Sequence, residues 1–108
     1  MPRLATRPFG PALLTNSAAT KVTVPSNEKL NITRLHVSNP TVSTVDFTMS
    51  VGADAAGTRM FDAYPIPPDT VLSFPMDLTL EEAEIIQAFA STTSVLVMEL
   101  EGARLVLG

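Results

Sequence analysis

Residues 43–51, STVDFTMSV, decide the fold. Val45, Phe47, Met49 and Val51 recur at every second position, with Thr44, Asp46, Thr48 and Ser50 between them. Side chains change face at each step along a strand but wind around a helix every 3.6 residues, so this spacing builds one apolar face in a strand and scatters in a helix. The stretch predicts a β-strand with one face in a core and the other toward water or an interface.

The same period extends on both sides. Residues 19–24 (ATKVTV) put Val22 and Val24 on one face and close at Pro25. Residues 29–38 (KLNITRLHVS) alternate through Leu30 and Ile32, then resume on the other parity at Leu35 and Val37. That switch at Thr33 and Arg34 predicts a β-bulge or a sharp bend, and Asn39-Pro40 predicts a turn. Downstream, 52–57 (GADAAG) reads as a loop and 58–66 as an extended segment. A strand over 70–76 follows, in which Pro75 marks an edge or an end. Residues 95–100 place Leu96, Met98 and Leu100 on one side, and the final ARLVLG reads as a short strand or extended tail.

Residues 79–90 (TLEEAEIIQAFA) admit two readings. Thr79 and Glu82 match a capping box, with Leu80, Ala83, Ile86 and Phe89 at helical spacing. Ile85, Ile86 and Phe89 are equally a β-prone run after an acidic turn. About eight short strands at intervals of roughly 8–12 residues predict an antiparallel β-sandwich or barrel.

At 108 residues the chain suits one domain. Residues 1–18, with Pro2, Pro8, Pro11 and Gly10, read as an extended arm, because proline removes amide donors from a helix or a central strand. Residues 19–108 are the sandwich. The arm's Leu4, Phe9, Leu13 and Leu14 must cover either the domain's own sheet or a neighbour's.

Charged residues form 17% of the chain, against about 25% in typical soluble domains. That deficit predicts an extensive contact surface. The net charge is −4, and seven basic residues are scattered along the chain, a poor match to the clustered Lys and Arg that bind phosphate backbones, so nucleic acid is excluded as a partner. Zero cysteines exclude disulfides and thiolate chemistry. No apolar run approaches the roughly 20 residues of a membrane span, and the N-terminus lacks a secretory h-region. A soluble protein made in the cytoplasm is expected, with no membrane partner.

Several stretches together resemble a family: VP at 24–25, LHVSN at 35–39, GADAAGTR at 52–59, DAYPIP at 62–67 and LEEAEIIQA at 80–88. They are similar to a group of small structural proteins of tailed bacteriophages, over roughly residues 14–102. The family typically carries Gly in its acidic turn, where this chain has Glu82-Ala83-Glu84. The resemblance implies a small jelly-roll-like β-sandwich built into a virion, and a turn followed by a strand over 79–90. It leaves open capsid decoration, a neck or collar, and a tail accessory role.

No catalytic constellation stands out. His36 is the single histidine and lies opposite Leu35 and Val37, with no G-x-S-x-G elbow in the chain. Glu81, Glu82 and Glu84 sit in one turn, whereas a glycosidase needs carboxylates facing across a cleft. Asp54, Asp62, Asp69 and Asp77 lack EF-hand spacing, and GADAAGTR stops short of a phosphate loop. A non-enzymatic protein without metal or cofactor is expected. Its contacts are assigned to Arg3, Leu4, Arg7 and Phe9 on the arm and to Met60, Phe61 and Tyr64 near the prolines, since Arg and aromatic residues dominate interface energy. The expected partners are further copies of the chain and other virion proteins, either a major capsid protein or tail and neck proteins. Capsid decoration is preferred. A carbohydrate- or receptor-binding tail module is disfavoured by the absence of Trp and the single Tyr.

Overall fold

A computed structural model describes residues 3–107, the side chain of Arg3 excepted. Its strands are β1 (Arg3–Leu13), β2 (Ala19–Thr23), β3 (Glu28–Asn39), β4 (Val45–Val51), β5 (Arg59–Ile66), β6 (Thr70–Leu80), β7 (Ile85–Ala90) and β8 (Val97–Val106). They form two four-stranded sheets, β1-β8-β3-β6 and β2-β7-β4-β5, antiparallel throughout.

The pairing has a simple logic. β1 pairs with β8, β2 with β7, β3 with β6 and β4 with β5, as if one long hairpin had been doubled back at the 52–58 loop. Rolling that hairpin brings β3 beside β8 and β4 beside β7, which closes the two sheets over one core. This is the eight-stranded jelly roll. Both faces supply the core: Ile32, Leu35, Val37, Met98 and Leu100 from one sheet, Val22, Phe47, Met49, Ile86 and Ala88 from the other. Val24, Leu14 and Leu96 join them from the connections.

The period-two readings hold. Val45, Phe47 and Met49 are buried, and the parity switch in β3 is a register shift between Ile32 and Arg34 against both neighbours. At that bulge β8 presents Gly102, where a Cβ would stand 2.0 Å from the Asn31 carbonyl oxygen, so only glycine lets the strands meet. Residues 79–90 are a turn and a strand, with Ile86, Ala88 and Ala90 inward and Phe89 outward, against the helical spacing. The 81–84 turn carries a left-handed φ of 69° at Ala83. The Ala83 amide donates to the Val24 carbonyl at 3.1 Å, which holds this conformation in place.

Two expectations change. The first concerns residues 1–18, read as an arm: residues 3–13 are an edge strand of the molecule's own sheet, paired with β8 from Arg3↔Leu105 to Leu13↔Val97. The prolines are accommodated because β1 is an edge, and its register shifts bracket Pro8 and Pro11. Indeed every strand that carries proline is an edge strand: β1, β5 with Pro65 and β6 with Pro75. β3, β4, β7 and β8 carry none. The second concerns the polar face of β4, where Thr48 and Ser50 are buried rather than wet. Thr48 Oγ1 accepts from the Ala63 amide at 3.0 Å, and Ser50 Oγ donates to Asp54 at 2.7 Å, so the cost of their burial is met.

Candidate interaction surface

A sandwich has two long edges where its sheets part. At one, β5 and β6 leave a groove of about 300 Å³ lined by Met60, Phe61, Phe74, Pro75, Met76, Asp77 and Leu78. The inward residues of β6, Leu72, Phe74, Met76 and Leu78, are only partly buried, since β6 is the edge of its sheet. Phe61 sits at the centre of an aromatic cluster, its ring centroid 5.4 Å from Phe47, 5.8 Å from Tyr64 and 5.0 Å from Phe74. Tyr64 meets Phe74 edge-on at 5.6 Å.

Phe61 and Tyr64 are three residues apart and would face opposite ways in a regular strand. Register shifts in the β4–β5 pairing, with Ala63 at a φ of 51°, bring them onto the same side. Met60 remains 54% exposed and Tyr64 41%.

The loop leading into β5 is rigidly held. Arg59 donates from Nε and Nη2 to the two Asp54 carboxylate oxygens at 2.9 and 3.0 Å, and from Nη1 to Asp62 at 2.9 Å. The Asp54 amide donates to Gln87 Oε1 at 2.9 Å. The bonds from Arg59, then that from Ser50, hold the Asp54 carboxyl below its ordinary range, while Asp54 and then Asp62 push the Arg59 guanidinium further up. Arg59 also lies over the Phe89 ring, 5.8 Å from its centroid. The GADAAGTR stretch is therefore a braced hairpin, and the motif's charges are spent on one another.

The opposite edge, between β1 and β2, also holds a groove, of about 290 Å³, but there Arg7, Lys21, Glu28 and Arg104 with Thr6 and Thr23 stand among Pro8, Val22, Pro25 and Leu30. Here Arg7 pairs with Glu99 at 3.5 Å and Arg104 with Glu28 at 3.5 Å. Phe9 packs partly buried on the core, with Lys21 Nζ 5.7 Å from its ring centroid, and Leu4 lies exposed on β1. The Arg3 side chain lies outside the described residues. The expected contact residues thus fall into two groups: Leu4, Arg7 and Phe9 on β1, and Met60, Phe61 and Tyr64 on β5, an edge strand of the other sheet.

The four aspartates considered as cation ligands do not converge. Asp54 and Asp62 are engaged by Arg59, Asp69 occupies the β5–β6 turn, and Asp77 accepts from Asn31 Nδ2 at 3.1 Å. In the acidic turn, Glu84 accepts from the Glu81 amide at 2.6 Å, and Glu81 pairs with Lys29 at 3.4 Å. His36 stands on the outer face of its sheet between Glu99 and Glu101, a grouping that alternation alone did not reveal.

No protein-family model matches the chain, and no curated relative does. Among solved structures it is similar to the coat protein of Tobacco streak virus, with a TM-score of 0.51 and 14% identity over 98% of this chain and 86% of that one. At that identity the likeness concerns the fold, a viral-coat-type β-sandwich, reached through a plant virus and not through a tailed-phage protein.

Proposed function

We propose that this chain is a non-enzymatic virion structural protein that strengthens a particle by associating with its own copies and docking on neighbouring subunits, as a capsid decoration protein of a tailed phage. The observation that carries the proposal is the apolar β5–β6 edge on a jelly roll similar over almost its whole length to a protein that is itself a viral coat. Exposed Met60 and Tyr64 beside a groove of core residues offer area whose burial contributes about 25 cal/mol per Å². The occupant of the groove is the major capsid protein of the same particle.

The prolines bear on how the contact is made. An edge strand interrupted by proline is a poor template for strand addition, so subunits meet through side chains and not by extending a sheet. Symmetric repetition then multiplies a small contact through avidity.

Cosedimentation of the full chain with capsids assembled from the major capsid protein of the same genome tests the role. Saturable binding that raises the temperature at which the capsids disrupt is expected. A chain that stays in the supernatant, and binds tails or necks instead, would move the role to a tail, neck or collar accessory. Because residues 3–13 are a strand of the sandwich, point variants are the suitable probes and truncation is not.

A further inference from the structure

We propose that His36, Glu99 and Glu101 form a binding site for a zinc-class divalent cation on the outer face of the β1-β8-β3-β6 sheet. His36 Nε2 lies 3.3 Å from Glu101 Oε2 and 4.0 Å from Glu99 Oε1, and the three donor atoms all fall within 4.8 Å of one another. Donors bonded tetrahedrally to zinc at about 2.0–2.1 Å sit roughly 3.3 Å apart, so small side-chain adjustments close the set around an ion. Among the described residues no other group of His, Cys, Asp and Glu converges in this way.

The scaffold is stiff. β3 and β8 are the two inner strands of their sheet, and His36 faces Glu99 directly across the ladder. Glu101 is two residues further along β8 and returns to the same face. Two carboxylates held side by side repel each other, and a cation between them relieves that repulsion.

The surrounding charges leave room for it. Arg7 on β1 reaches Oε2 of Glu99 at 3.5 Å, which leaves Oε1 turned to His36 and orients the carboxylate. Arg34, the other nearby cation on β3, is drawn to Ser73 on β6 at 2.8 Å. Side-chain exposures of 30% for His36, 21% for Glu99 and 46% for Glu101 give water access to the remaining coordination positions. A shallow depression of about 490 Å³, lined by Arg7, Thr33, Glu101 and Gly102, adjoins the group. One imidazole nitrogen with two carboxylates suits zinc and its neighbours better than calcium or magnesium, which take oxygen ligands.

The site needs nothing from the virion reading and is tested on the isolated full chain. Metal-stripped protein is titrated with zinc chloride by calorimetry, with thermal unfolding followed in parallel and calcium chloride as the control. One saturable zinc per chain and a raised unfolding midpoint are expected, with calcium at least about tenfold weaker. His36→Gln and Glu101→Gln should each weaken zinc by at least about tenfold while leaving the metal-free midpoint within a degree or two, as suits surface positions. No saturable zinc binding, or binding that His36→Gln leaves unchanged, would overturn the assignment.

Discussion

The two edges of this jelly roll have the same architecture and opposite chemistry. Each opens a groove of nearly equal size, about 290 Å³ between β1 and β2 and about 300 Å³ between β5 and β6. The first sets Arg7, Lys21, Glu28 and Arg104 among Pro8, Val22, Pro25 and Leu30, and its charges are served by water and by the Arg104–Glu28 pair. The second is ringed by Met60, Phe61, Phe74, Met76 and Leu78, which gain from being covered. Apolar content in a segment says that it must be covered, without saying by what. The apolar residues of 1–18 are partly satisfied by the chain's own sheet and core. Those of β5 and β6 are covered in part, and Met60, Tyr64 and Val71 stay exposed.

Four substitutions, two at the edges and two away from them, sharpen the contrast, the largest effect first. Phe61→Ala removes the ring that joins Phe47, Tyr64 and Phe74, and should destabilise the fold by about 3 kcal/mol in urea unfolding. A loss below about 1 kcal/mol would mean the cluster is loosely packed. Gly102→Ala forces a Cβ against the Asn31 carbonyl at the β3 bulge and should cost about 2 kcal/mol, read in the same way. Ala83→Gly relieves the left-handed φ of 69° in a turn off both edges, and should stabilise by about 1 kcal/mol without altering association. Arg104→Gln breaks a partly exposed pair with Glu28 and should cost only about 0.5 kcal/mol, less at high salt.

Much of this was legible from the residues alone. Alternation in 43–51 identified a strand and its buried face, and the parity change at Thr33 and Arg34 located a bulge that both partner strands respect. Other features depend on which strands become neighbours. Prolines in 1–18 argue against a central strand but are silent on an edge strand, and the partner of β1 lies at the far end of the sequence, as in Arg3↔Leu105. Thr48 and Ser50 look wet until the β5 backbone and the 52–58 loop fold over them. His36 and Glu99 each alternate outward, yet only the β3–β8 register places them face to face. Tyr64 joins Phe61 through a bulge that no local pattern announces.

The apolar β5–β6 edge is the proposed contact, and the charged β1–β2 edge is not. Capsid cosedimentation of two double variants, Met60→Ser with Tyr64→Ser and Arg7→Gln with Arg104→Gln, tests it most directly against the unaltered chain. Loss of two exposed anchors should weaken binding by at least roughly thirtyfold, while the charge variant binds within about threefold of the original. Equal binding by all three chains, or loss confined to the charge variant, would contradict the assignment of the β5–β6 edge as the contact.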